Sequence, residues 1–132
     1  MNDKTVLVTG ANGWIGRFAV DILREKGYRV HPFTGDMLED ATFLPDTTHL
    51  LHLAWITTPG EYWESPLNRD WFNASLKLFQ NFDGKRIVVA GTCAEEVTST
   101  FYGRSKNALR KTLEAYSEIN GVSSAWGRIF YL

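Results

Sequence analysis

Glycines at positions 10, 13 and 16 constrain this chain more than any other feature. They separate two segments of different period. Lys4 to Thr9 is a β-rich apolar run, the pattern of a short buried strand that stops at glycine. From Trp14 onward Trp14, Ile15, Phe18, Ile22 and Leu23 recur at helical spacing as far as Gly27, a natural stop. A strand–glycine–helix turn lets the backbone approach a pyrophosphate, which then sits at the positive helix N-terminus. The spacing G-x-x-G-x-x-G is one residue wider than the dinucleotide fingerprint G-x-G-x-x-G. Taken alone, a tight structural turn explains such glycines equally well. Their position favours a dinucleotide site, because they follow the first strand, open the first helix and are preceded by Thr9.

The rest of the chain alternates in the same way. Tyr28–Phe33 reads as a second strand, which Pro32 confines to an edge or a strand end. Asp36 follows Gly16 by twenty residues, where the dinucleotide scheme puts an acidic group on the adenosine ribose. Capping of a helical segment Leu38–Phe43 is the equal alternative. Thr48–Trp55 is a nearly continuous apolar strand, as one covered on both faces should be. Within it His49 and His52 point to opposite faces, which speaks against a shared metal, and His52 reads as a satisfied structural histidine. Ser65-Pro66 is a good N-cap and N1 pair for a helix whose Trp71, Ser75, Leu78, Phe79 and Phe82 form a core stripe ending before Asp83-Gly84. Arg86–Gly91 is a fourth strand, Phe101–Asn120 a helix closed by Gly121, and Ser123–Tyr131 a last strand. Alternation of this kind predicts an α/β fold, a doubly wound parallel sheet with helices on both faces. Ligands of such sheets lie beyond the strand carboxyl ends. Gly10, Ala54–Trp55 and Gly91–Cys93 therefore converge on one crevice.

Composition narrows the function classes. At 132 residues the chain supports one domain, and a net charge of −1 without a basic stripe excludes nucleic acid as the expected partner. The apolar runs fall far short of the ~20 residues that cross a bilayer, so no membrane association is expected. The polar start shows no signal peptide, and the single Cys93 excludes an internal disulfide framework and paired-cysteine metal sites. A cytoplasmic protein is the expectation, with no metal.

A second motif lies at the start of the last helix. Tyr102 and Lys106 in Tyr102-Gly103-Arg104-Ser105-Lys106 are four apart and share one helix face. Alone, Tyr-x-x-x-Lys is weak, and a half-buried tyrosine beside a snorkelling lysine accounts for it. Joined to the glycine turn, and to Thr92 at the end of the preceding strand, it becomes strong. With Thr9-Gly10-Ala11-Asn12-Gly13-Trp14-Ile15-Gly16, it resembles the extended short-chain dehydrogenase/reductase superfamily. The segments LLHLAW, AGTCAEE and FYGRSKNALR resemble its NAD-dependent epimerase/dehydratase branch, which acts mostly on nucleotide sugars. The resemblance runs from Lys4 to Leu132. It implies a single NAD(P)-binding Rossmann domain over residues 1–132, with the family's substrate-binding portion absent or minimal.

Carried over residue by residue, the resemblance makes Tyr102 the catalytic acid/base and Lys106 its partner, which also holds the nicotinamide ribose. Thr92 takes the place of the hydroxyl that bonds the reacting oxygen. Gly10, Asn12, Gly13, Trp14, Ile15 and Gly16 form the cofactor turn, Asp36-Met37 matches the aspartate–aliphatic pair on adenine, and Leu53-Ala54-Trp55 lines the cofactor. A free tyrosine titrates near ~10, and an ammonium one turn away together with a positive nicotinamide is expected to lower that value. The implied activity is hydride transfer between NAD or NADP and a nucleotide sugar or similar hydroxyl or carbonyl compound. A non-catalytic dinucleotide sensor or scaffold is the second reading. A homodimer through the helices Pro66–Phe82 and Tyr102–Asn120 is also expected.

The chain departs from the family in three places. The segment between Phe33 and Gly35-Asp36, which reads the ribose 2′ position, is shorter than usual. Only nine residues separate Thr92 from Tyr102, and Glu96 stands where a tyrosine is usual. The sequence stops at Phe130-Tyr131-Leu132, where the family's substrate portion begins. Omitted segments are favoured over a naturally minimal paralogue.

Overall fold

A computed structural model describes residues 3–41, 44–96 and 99–129, with Glu96 described by its backbone alone. Phe43, Tyr131 and the Glu96 side chain, on which three expectations rest, lie outside the described residues. The elements run β1 (Thr5–Thr9), α1 (Trp14–Glu25), β2 (Arg29–Pro32), α2 (Met37–Asp40) and β3 (His49–His52). They continue with α3 (Leu67–Asn81), β4 (Arg86–Thr92), a 3-10 turn Cys93–Glu96, α4 (Phe101–Asn120) and β5 (Ser123–Ile129). All neighbouring strands pair in parallel, in the order β2-β1-β3-β4-β5. β2 is thus an edge strand, as Pro32 requires. The order reverses between β1 and β3, the switch point at which such sheets bind ligands.

Strand alternation sorts the core into two layers. Val6 and Val8 pack with Ala11 and Val20 under α1. Leu7, Leu50, Ile87 and Val89 face the other way, against Ala74, Leu78 and Phe79 of α3 and Leu109 and Leu113 of α4. Helices therefore cover both faces. The stripe that revealed α1 is not its buried face, however. Trp14, Phe18 and Ile22 are 66%, 61% and 50% exposed, whereas Gly16 and Val20 are buried. Small residues on that side let α1 lie close to β1.

Capping explains the helix limits. Thr100 Oγ1 accepts from Gly103 N at 3.0 Å to open α4, and Gly121 at φ 67° closes it in the left-handed region. Ser65 Oγ accepts from Leu67 N ahead of α3. Asp36 caps α2, accepting from Leu38 N at 2.9 Å.

A relay of buried hydrogen bonds ties β1, β3 and α3 together. Ser75 Oγ donates to the Trp71 carbonyl at 2.8 Å, so it accepts from His52 Nε2 at 2.8 Å. His52 Nδ1 is then an acceptor and takes the Thr9 hydroxyl at 2.6 Å, while Thr9 Oγ1 accepts from Leu53 N and Ala54 N. The expected structural histidine is thus present as its neutral Nε2–H tautomer. Burial, then the charge of Lys106, pushes its pKa from 6.5 down to about 3.

A histidine neutral in the fold and basic when unfolded contributes stability above pH 6.5 that is lost as pH falls toward 3. Urea titrations should show a loss of roughly 3 kcal/mol between pH 6.5 and pH 4 that His52→Gln, which keeps one donor and one acceptor, largely removes. Equal slopes in the two proteins would contradict the relay.

Candidate functional site

The carboxyl ends of β1, β3 and β4 open into a crevice with two adjoining lobes. One, of about 470 Å³, is lined by Gly10, Gly13, Trp14, Ile15, Gly16, Leu53, Ala54 and Trp55, together with Thr57, Trp71, Ala90 and Ile129. The other, of about 240 Å³, has Thr92, Tyr102 and Lys106 among its walls, with Tyr62, Trp63, Gly91 and Cys93. Ile15, Leu53, Trp55, Thr57, Ala90 and Ile129 border both lobes. Eleven predicted site residues thus share one crevice. Asn12, Asp36 and Met37 lie outside its lining; Met37 is packed in the core beside Ala41.

The three glycines have different reasons. Gly10 adopts φ +68°, and a Cβ there would stand 3.0 Å from Ala54 N. At Gly16 a Cβ would lie 1.9 Å from the Gly10 carbonyl oxygen, so α1 could not start where it does. Gly13 is different. Its φ of −73° and ψ of 174° suit any residue, and a Cβ would meet only Gly10 O at an ordinary 3.4 Å. A structural turn therefore accounts for two of the glycines and leaves the third unexplained. Gly13 is the N-cap of α1 without a side-chain cap, and no acidic residue occupies the first turn. The helix amides thus face the crevice uncapped, a cradle suited to an anion.

On the second lobe, Thr92 and Tyr102 stand in one wall, and the Thr92 hydroxyl accepts from the Ala94 amide at 3.2 Å. Tyr102 is packed edge-on to Tyr62 at 4.9 Å and Trp63 at 5.6 Å, and its amide donates to the Trp63 carbonyl at 2.9 Å. Asn68, fully buried, holds this wall. Its Oδ1 accepts from Trp55 Nε1 at 2.8 Å, and its Nδ2 donates to the carbonyls of Tyr62 and Ser65. Nothing in the spacing of the sequence singles out Asn68, Tyr62 or Trp63: Tyr62 and Trp63 lie in a segment that reads only as loop, and Asn68 is one polar residue in the first turn of a helix.

Electrostatics correct the lysine's part in one expectation. In the chain alone the Tyr102 phenol is held above its ordinary value. Burial is the largest cause, the Thr92 hydrogen bond opposes it, and Tyr62, Glu95 and Cys93 add to the rise. Lys106 is not among the causes. Its Nζ donates instead to the Ala90 carbonyl at 2.7 Å and lies 4.6 Å and 5.7 Å from the ring centres of Trp55 and Trp126. At 4% exposure, burial pushes Lys106 from 10.5 down to about 8, against the raising effect of Glu95. Among the described residues no cluster of His, Cys, Asp and Glu could hold a metal, and no helix is long and apolar enough to cross a membrane.

The parallel sheet, the switch-point crevice and the glycine-opened first helix define an α/β protein of the dinucleotide-binding type. The chain belongs to the NAD dependent epimerase/dehydratase family, whose sequence model matches residues 6–132. No curated protein matches it. Among solved structures it is similar to UDP-glucose 4-epimerase of Thermotoga maritima, at 18% identity and a TM-score of 0.73 over 94% of this chain and 54% of that one. It is similar to UDP-N-acetylglucosamine 4-epimerase of Bacillus cereus, at 22% identity and 0.72 over 96% and 53%. A GDP-L-fucose synthetase of Naegleria fowleri bound to NADP matches at 18% identity and 0.68 over 98% and 50%. The chain thus spans about half the length of these structures, and at such identities the likeness is one of fold.

Lys106 carries a stability signature. A lysine depressed in the fold destabilises it fully below pH 8, and the penalty is relieved as pH rises to 10.5; Tyr102, shifted the other way, loses its stabilising proton above 10. Lys106→Met should therefore raise unfolding free energy at pH 7 by about 1–2 kcal/mol, after loss of the Ala90 bond, with the advantage shrinking toward pH 10. A variant less stable than the parent at pH 7 would contradict this.

Proposed function

We propose that this chain forms the dinucleotide-binding and catalytic part of an NAD(P)-dependent epimerase, dehydratase or reductase acting on a nucleotide sugar or a similar hydroxyl or carbonyl compound. The observation that carries the reading is that Thr92 and Tyr102 line one crevice with the uncapped helix amides at Gly13. A bound NAD or NADP would supply the hydride acceptor or donor. The glycine turn would hold its pyrophosphate, with Leu53, Ala54 and Trp55 along the wall. Tyr102 would exchange a proton with the substrate oxygen, and the Thr92 hydroxyl would orient that oxygen. Lys106, cationic below about pH 8, would stabilise the phenolate formed and offer its ammonium to ribose hydroxyls. A phenol held high by burial stays protonated near neutrality and so is ready to give a proton, whereas an ammonium or a bound cation must stabilise the phenolate when it is to take one.

The second reading, a non-catalytic dinucleotide sensor, draws on one observation: Lys106 Nζ is engaged by the Ala90 carbonyl between two indoles. Tyr102→Phe separates the two readings. Under the enzyme reading, calorimetry gives micromolar binding of one nicotinamide dinucleotide by both proteins, while turnover on a nucleotide-sugar panel falls by about 10²–10⁴-fold in the variant. Binding without turnover by the parent protein favours the sensor. Gly13→Ala tests the turn. Dinucleotide affinity should fall at least about tenfold, a cost near 1.4 kcal/mol, with little change in melting temperature. Gly16→Ala should instead destabilise the fold itself.

A further inference from the structure

One buried charge beside the crevice has no part in the chemistry above. Glu95 lies in the turn after β4, three residues beyond Thr92, and is 3% exposed. Its Oε2 accepts from the Thr92 amide at 2.6 Å, and both its oxygens lie 3.0 Å from Trp126 Nε1 of β5. Oε1 faces Arg128 Nε at 3.4 Å and Arg110 Nε of α4 at 3.6 Å. Arg110 Nε is buried without a hydrogen-bond partner among the described residues, so this charge pairing is the contact it has with Glu95.

A carboxylate buried this deeply is retained only with its charge matched and its lone pairs engaged. The backbone is shaped to admit it. A Cβ on Gly91 would lie 2.4 Å from Glu95 Oε2 and 2.0 Å from Trp126 Nε1, so the glycine leaves the space in which carboxylate and indole meet. Glu95 therefore fixes the amide of Thr92, which shares the crevice wall with Tyr102, and fixes it to β5 and α4 at once.

We propose that Glu95 is a positioning residue, which holds the Thr92 hydroxyl against the Tyr102 phenol through the Thr92 amide and the Trp126 indole. The inference rests on the reading of Thr92 and Tyr102 given above as the reacting pair. A purely structural ion cluster would instead affect stability without any effect passing through Thr92.

A double-mutant cycle on Tyr102 ionisation decides between them and needs no turnover. Tyrosinate absorbance is titrated in the parent, Thr92→Ala, Glu95→Gln and the double variant, each read against its Tyr102→Phe counterpart. Loss of the Thr92 hydrogen bond should raise the Tyr102 pKa by about one unit in the parent. In the Glu95→Gln background that increment should fall below roughly half, because the hydroxyl is no longer held in place. An unchanged increment overturns the proposal. Glu95→Asp keeps the charge facing Arg110 and Arg128 and serves where the Gln variant does not fold; its shorter reach should diminish the increment likewise, and an increment equal to the parent's overturns the proposal. With a turnover assay in hand, Glu95→Gln should lower kcat about tenfold at unchanged dinucleotide KM, and this loss should vanish in the Thr92→Ala background. Coupling in the titration without turnover in the parent removes the enzyme reading and leaves the positioning role standing. Turnover without coupling does the reverse.

Discussion

The crevice depends on how β1 and β3 are held side by side where their continuations part. Both ends of that seam are fastened by threonine. At the amino end Thr5 and Thr48 exchange side-chain to amide bonds, each at 2.9 Å. At the carboxyl end the Thr9 hydroxyl gathers the amides of Leu53 and Ala54 and donates to His52. A β-strand ordinarily ends with amides that need partners. Here one buried hydroxyl satisfies two of them, and the chain after β3 turns away without a gap in the polar network. Gly10 can then turn at positive φ against Ala54, and α1 can start on the other side of the sheet. Removing the hydroxyl would leave two partly buried amides and a buried histidine nitrogen unmatched at the edge of the crevice.

The opposite wall is built on a different principle. No regular element spans from β3 to α3 over Leu53–Pro66. That stretch is held by aromatic edges and by Asn68, whose amide bonds an indole on one side and two carbonyls on the other. Tyr102 enters this wall as a packing residue. Its ring meets Tyr62 and Trp63, and its backbone amide is bound by the same loop. The packing that orients the phenol also desolvates it, and desolvation is the largest cause of its raised pKa.

Periodicity made the fold legible, because each strand and long helix is a local pattern of two or 3.6 residues. α4 lies over the expected Phe101–Asn120, closed by the expected glycine. The α1 stripe was legible as a helix but not in its burial: Trp14, Phe18 and Ile22 point out, because the approach to β1 favours the side with Gly16 and Val20. The glycine turn and the Tyr102–Lys106 spacing were equally legible, since their residues lie close in sequence. Glu95 and Asn68 were not. A glutamate at a strand end and an asparagine in the first turn of a helix are unremarkable until partners up to 33 residues away are known. The lysine's part in the Tyr102 shift was missed for the same reason. Sequence shows a lysine one turn away, whereas the tertiary packing turns that lysine onto Ala90 and encloses the phenol.

Lys106 and Glu95 make the region around Trp126 a place of unusual electrostatic tension. Opposite charges reach one indole: the ring centre lies 5.7 Å from Lys106 Nζ, and its N–H is bound by the Glu95 carboxylate. Each charge is costly to bury, and each offsets part of the other's cost, as the raising effect of Glu95 on Lys106 records. A core built for stability alone would replace both with apolar groups. Retaining them keeps a cation one helical turn from Tyr102 and a carboxylate on the backbone of Thr92.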